Sequence, residues 1–209
     1  VEGSTFHETP HIDRLAKNAA RFSNGYSTCQ VCSPSRASLM TSRYGSELGI
    51  TDWIHPRNEP EMGLDPKHPT CPKVLAGAGY RVGLVGKWHL GFELAAAEGR
   101  RPVLDLSKPF VGGPLDHGFD AFLGMNSAMS SGPYYYIRNR GPEVLPTEST
   151  EGTKARDRDR RVTYAAGDLA PGFVHKEVNS RLCDEVIDIL KEHSSKNESE
   201  PLFLYYAML

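Results

Sequence analysis

Residues 70–91 constrain the fold more than any other stretch. Thr70-Cys71-Pro72 opens a short helical segment that stops at Gly79. Arg81-Val82-Gly83-Leu84-Val85 follows as an apolar run of the length expected for a strand buried on both faces. A helix that feeds directly into such a strand is the building unit of an α/β layer with a mostly parallel sheet. The same unit recurs near the other end of the chain. Val178, Leu182, Val186, Ile189 and Leu190 form an apolar stripe on a charged helix, and after the polar stretch Ser194 to Glu200, Pro201 through Leu209 is a second buried strand. Open α/β sheets keep their ligands just past the C-terminal ends of their strands, so Lys87 and His89 are placed for chemistry.

The stretch from Thr28 to Tyr44 supplies the other half of a candidate site. Pro34 suits the first position of a helix and Ser33 suits its cap, which leaves Cys32 at the positive end of the helix dipole, an anion site. Arg36 follows Cys32 by four residues and returns to the same side of the helix, where its fork can reach whatever residue 32 attacks. Leu39 and Met40 are expected to bury this helix. Upstream, Thr9 and Pro10 open a helix whose Ile12, Leu15, Ala16 and Ala19 are spaced for packing, and Phe22 to Tyr26 reads as a strand or extended lead into the Cys32 site.

The remaining segments are irregular. Residues 45–69 read as a long surface loop bordering the site, residues 92–118 as turns followed by a packing segment with Phe119, Phe122 and Leu123, and Lys154 to Arg161 as a solvated loop of mixed charge. Tyr134-Tyr135-Tyr136 suits either a stacking pocket or an edge of the core, and Asp116 and His117 suit either loop support or substrate contact. Cys29, Cys32, Cys71 and Cys183 form no zinc pattern, although Cys29 and Cys32 alone spell a Cys-x-x-Cys redox dithiol. A net charge of −2 offers no overall attraction to nucleic acid or to an anionic membrane, so any handling of anions is local. No apolar run approaches a membrane span, no signal peptide opens the chain, and no internal repeat divides it. One α/β domain is the expectation.

Cys32-Ser33-Pro34-Ser35-Arg36 with the following Thr41-Ser42 resembles the sulfatase signature, with Gln30 and Ser42 departing from it at the position before the motif and at a customary glycine. Gly79 through Gly91, ending in Gly-Lys-Trp-His-Leu-Gly, resembles the same family's second motif, with Val82 in place of a hydroxyl residue. The resemblance implies an alkaline-phosphatase-like α/β fold, a mostly parallel sheet between helices, with residues 1–209 as part of an N-terminal catalytic domain. It implies hydrolysis of a sulfate ester at residue 32, oxidised by a maturation enzyme to formylglycine, whose hydrated form attacks sulfur with one hydroxyl and expels sulfate through the other. Arg36 would hold that diol, Lys87 would bind sulfate oxygens and His89 would steer a hydroxyl or its proton, while His117 and Tyr134 are candidate substrate contacts. It further implies Ca2+ or another divalent cation bound through modified residue 32, the family's carboxylate ligands lying outside these residues. An aryl or carbohydrate substrate and a secreted, periplasmic or lysosomal setting complete what is implied. Phosphate or phosphonate ester hydrolysis and a non-catalytic binding role stand as the rival readings.

Overall fold

The computed structural model describes residues 6–55, 63–93, 104–153, 163–196 and 199–209. In chain order the elements are α1 (Pro10–Lys17), α2 (Cys32–Thr41), α3 (Cys71–Gly77), β1 (Arg81–Lys87), β2 (Ala121–Met125), β3 (Ile137–Arg138), β4 (Gly141–Pro142), β5 (Glu148–Thr150), β6 (Gly167–Leu169), α4 (Val178–Ser195) and β7 (Leu202–Ala207). The main sheet has the order β4-β3-β2-β1-β7, and β5 and β6 form a separate pair. β1 lies between β2 and β7 and is parallel to both, whereas β3 and β4 are antiparallel additions at the far edge. The expected α/β class with a mostly parallel sheet is what the chain adopts.

The two helix-to-strand units hold because their local signals agree with the tertiary pattern. The Thr70 hydroxyl accepts a hydrogen bond from the Lys73 amide and donates to the His117 carbonyl at 2.6 Å, so it caps α3 and anchors it to a neighbouring turn. Gly79 then takes a positive φ and turns the chain into β1. Val82, Leu84 and Val85 are buried on β1, each contributing roughly 1.5–3 kcal/mol through removal of its side chain from water. On the other side, α4 buries Val178 and Leu182, and Asn179 is tied by its side chain to Leu209 just past β7. Arg138 of β3 grips Glu185 of α4 and also Glu143, and Arg181 of α4 grips Glu143. These pairs join helix to hairpin at the protein surface.

Several local expectations are corrected. α2 begins at Cys32 with Val31 as its cap, so Pro34 sits at the third position and Ser33 makes no cap; its hydroxyl instead accepts from the Ile54 amide at 2.9 Å. Met40 is buried but Leu39 is 59% exposed, since it borders the open cavity that Arg36 and Tyr205 also line. α1 forms without burying any residue; the Thr9 hydroxyl donates to the Asp13 carboxylate rather than capping an amide. Phe22 to Tyr26 is exposed and forms no strand. β7 is only half-buried, since among the described residues it has a strand partner on one side alone. The segment Lys154 to Arg161 lies outside the described residues.

Ser42 ends α2 in the left-handed region (φ 57°), where a Cβ is crowded against the backbone. Ser42→Gly is therefore expected to raise stability by about 0.5–1 kcal/mol, a gain read as a higher urea midpoint at unchanged slope.

Candidate active site

The sheet brings the two motif segments together. Arg36 reaches from the second turn of α2 to the C-terminal end of β1, where Nη1 donates to the Lys87 carbonyl at 2.7 Å and approaches the Tyr205 hydroxyl at 3.5 Å. Cys32 occupies the first turn of α2, one helical turn before Arg36 on the same side. Lys87 lies near enough to Cys32 to feel its side chain, and its pKa lies below the ordinary lysine value because burial penalises its charge; the attraction of Cys32 opposes that shift and the Arg36 charge reinforces it. Cys32, Arg36, Ser35, Cys29 and Tyr205 line an open cavity of about 400 Å³. All four cysteines are free thiols.

His89 completes the cluster from a strained position. The chain leaves β1 through Gly86 at φ 115°, and His89 itself holds φ 59°, a conformation that costs a non-glycine residue on the order of 1–2 kcal/mol. Backbone bonds from Trp88 N to the Met125 carbonyl and from His89 N to the Asn126 carbonyl fix this turn to the end of β2. The His89 ring hydrogen-bonds through Nε2 to the Ile54 carbonyl at 2.9 Å. A carbonyl only accepts, so Nε2 carries the proton and the neutral ring presents a bare lone pair at Nδ1, which is buried without a partner. Burial lowers the His89 pKa to about 4, and the neighbouring Lys87 charge adds to the effect.

The other candidates lie elsewhere. The His117 ring is fully buried beside Trp88, with centroids 5.2 Å apart, in the core behind the β1 turn. The Asp116 carboxylate takes both Arg140 amino groups, at 2.7 and 3.0 Å, and ties its turn to the β3–β4 hairpin. Tyr134 is fully buried; its hydroxyl donates to the Ala165 carbonyl, and its ring sits 4.4 Å from His175. Tyr135, rather than Tyr134, faces a cavity. The sequence reading missed Tyr205, although strand alternation assigns Tyr205 and Tyr206 to opposite faces. It also missed Ile54, whose backbone anchors both Ser33 and His89 and carries no side-chain signal.

His117 is likewise lowered to about 4 by burial, with the Lys73 charge adding to the effect. Both histidines stay neutral in the fold while their unfolded counterparts, titrating near 6.5, take up protons. Stability present above pH 6.5 is therefore lost as pH falls from 6.5 towards 4, on the order of 2–3 kcal/mol per histidine. Urea unfolding at pH 7 and pH 4.5 is expected to show this fall, and His117→Leu is expected to reduce its size.

A family model described as Sulfatase matches residues 1–209. N-acetylgalactosamine-6-sulfatase of Sus scrofa is 38% identical over 215 aligned positions, covering 100% of this chain and 36% of that protein. Steryl-sulfatase of Rattus norvegicus is 38% identical over 128 residues, 58% of this chain and 20% of that protein. The chain thus spans about a third or less of these relatives' length. A chain solved in work on the metabolism of multiple glycosaminoglycans by Bacteroides thetaiotaomicron superposes with a TM-score of 0.76 at 23% identity, over 98% of this chain and 46% of that one, which is a likeness of fold.

Proposed function

This chain belongs to the sulfatase family, and from that premise we propose that its site hydrolyses a sulfate monoester with residue 32 as the nucleophile-bearing position. The observation that carries the reading is the convergence of Arg36 and Lys87 on Cys32 at a helix start, with neutral His89 alongside. Sulfate oxygens carry negative charge, and fixed cations in a partly buried site stabilise the charge that develops during attack far better than water does.

A thiol cannot both attack sulfur and then expel sulfate, so the proposal includes oxidation of Cys32 to formylglycine by a maturation enzyme; hydrated, that residue attacks sulfur with one hydroxyl as the ester S–O bond breaks and the alcohol leaves with a proton, and loss of the second hydroxyl's proton then expels sulfate and restores the aldehyde. The Cys32 sulfur accordingly stands in for these oxygens. Lys87, held beside residue 32, is placed to neutralise sulfate oxygens there. Arg36 holds the end of β1 through the Lys87 carbonyl and lines the open cavity beside Cys32. His89 holds its proton at Nε2 against Ile54 and keeps a lone pair at Nδ1 for a hydroxyl proton.

The divalent cation implied by the family fits these residues poorly. Calcium takes six to eight oxygen ligands, typically several of them carboxylates. Here the groups are a thiol, a guanidinium, an ammonium and an imidazole, and among the described residues no group of three or more His, Cys, Asp or Glu side chains could hold a metal. No step is therefore assigned to it. No helix among the described residues is long and apolar enough to cross a membrane.

The test is the mass of the peptide carrying residue 32, read together with sulfate release, in protein produced with a maturation enzyme. Active protein is expected to show that peptide about 18 Da lighter than the cysteine form. Fully active protein with only unmodified Cys32 would refute the mechanism, and turnover of phosphate monoesters in preference to sulfate esters would move the assignment to phosphoryl chemistry.

A further inference from the structure

A second cavity, of about 510 Å³, opens beside the end of β2. Its walls are mainly apolar: Leu104, Leu106, Met125, Tyr135 and Ile137, with Met125, Tyr135 and Ile137 buried. Its polar groups are few and include the Asn126 amide, the Ser127 hydroxyl and the Asp168 carboxylate at the exposed rim. Among the described residues, none that lines it is a lysine, arginine or histidine. A volume of this size, apolar with a small number of placed polar groups, is that of a small-molecule site.

The cavity is joined to the reacting cluster through the sheet. Lys87 and Met125 are Cα partners in the parallel register of β1 and β2, and the His89 amide donates to the carbonyl of Asn126 at 2.8 Å. Met125 and Asn126 line the cavity, so the cavity begins at the residues that neighbour Lys87 and His89. The charges of the two regions are opposed: the cluster at Cys32 is cationic, whereas the described lining of the cavity carries one carboxylate and no cation. A sulfated polymer would need further cations for its additional sulfates and would meet none among these lining residues. An uncharged ring would instead find aliphatic walls and the Tyr135 ring.

We propose that this cavity receives the alcohol part of the substrate, and that this alcohol is an apolar, ring-bearing and otherwise uncharged group rather than part of a sulfated polysaccharide. The assignment rests on the sulfate-ester reading for its link to turnover, but the binding it asserts is measurable without turnover. The probe is 2-naphthol, which carries no sulfate, titrated into the whole protein by calorimetry. Saturable sub-millimolar binding is expected, with galactose and galactose 6-sulfate at least about 10-fold weaker. Leu106→Arg, which places a long charged side chain in the cavity, is expected to weaken naphthol binding about 10-fold or more at an unchanged thermal midpoint. Should that variant lose its fold, Ser131→Trp fills the space from the opposite wall and carries the same expectation. Absence of naphthol binding, equal binding by folded filled variants, or preference for galactose 6-sulfate would each overturn the proposal. If naphthol binds as stated but no sulfate ester is hydrolysed, the cavity assignment stands and the catalytic reading fails.

Discussion

Lys87→Ala is expected to lower turnover of a sulfate ester by roughly 10² to 10⁴, the range set by removing one preorganised charge from a transition state. Stability is expected to stay level or rise slightly, because the ammonium is partly buried next to the Arg36 charge, and both burial and that charge disfavour it. The pairing of a large kinetic loss with an unmoved thermal midpoint is what separates chemistry from support. The pH profile adds a second signature. Because burial lowers the Lys87 pKa, the charged form is lost at lower pH than for an ordinary lysine, so kcat/KM should decline on its alkaline side earlier than a free lysine would dictate. Lys87→Arg, charged throughout, should remove that decline while recovering part of the rate. Near-normal turnover in Lys87→Ala with a midpoint lowered by several degrees would make this residue structural. His89→Ala belongs to the same experiment, with a rate loss expected from the missing Nδ1 lone pair.

Gly86→Ala is expected to destabilise the fold by about 4 kcal/mol. Two costs add: a φ of 115° that residues with a side chain rarely adopt, and a Cβ that would press into the Ala207 carbonyl of β7. The neighbouring backbone has little room to yield, since on the other side β2 runs so close that a Cβ at Gly124 would press into the Gly86 carbonyl. The loss would be read as a reduced denaturant midpoint, with Gly141→Ala as the comparison. A Cβ at Gly141 meets nothing within 4 Å, so that change should cost about 0.5 kcal/mol or less. Equal midpoints for the two variants would show that β1 and β7 can separate without penalty.

The sheet centre was legible in the sequence because its residues obey several rules at once. Residues 81–85 are apolar, of strand length and preceded by a capped helix ending in glycine, and no other element satisfies them equally well. The stripe of α4 was legible for the same reason from Val178 to Ile189, although Leu190 at its end is exposed. α1 shows where the reasoning fails: helical spacing of Ile12 and Leu15 predicts a packed face, yet both side chains are exposed, because periodicity says that a face exists and not what covers it. The start of α2 was misplaced by local capping preference. Ser33 is drawn instead to the Ile54 amide, a partner 21 residues away that no window along the chain reveals. At the site, the motif residues Cys32, Arg36, Lys87 and His89 could be singled out by type and spacing, and the structure draws them together. Tyr205 and the Ile54 carbonyl reach the cluster only through the register of β7 and the path of a loop.

The register of β1 against β2 has an implication for altering the protein. Lys87 is presented by one strand and Met125 by its neighbour, at the same height, so the cationic cluster and the apolar cavity are set on a common rigid base but furnished by different parts of the chain. Leu104, Leu106 and Tyr135 belong to connecting segments outside the strands. Those segments could be exchanged for others of different shape, as a tool head is changed on a fixed arm, while Gly86, Lys87 and His89 keep their places. Libraries randomised at residues 104, 106 and 135 are thus the direct way to alter what the apolar cavity admits, and positions 86, 124 and 207 are the ones to leave untouched.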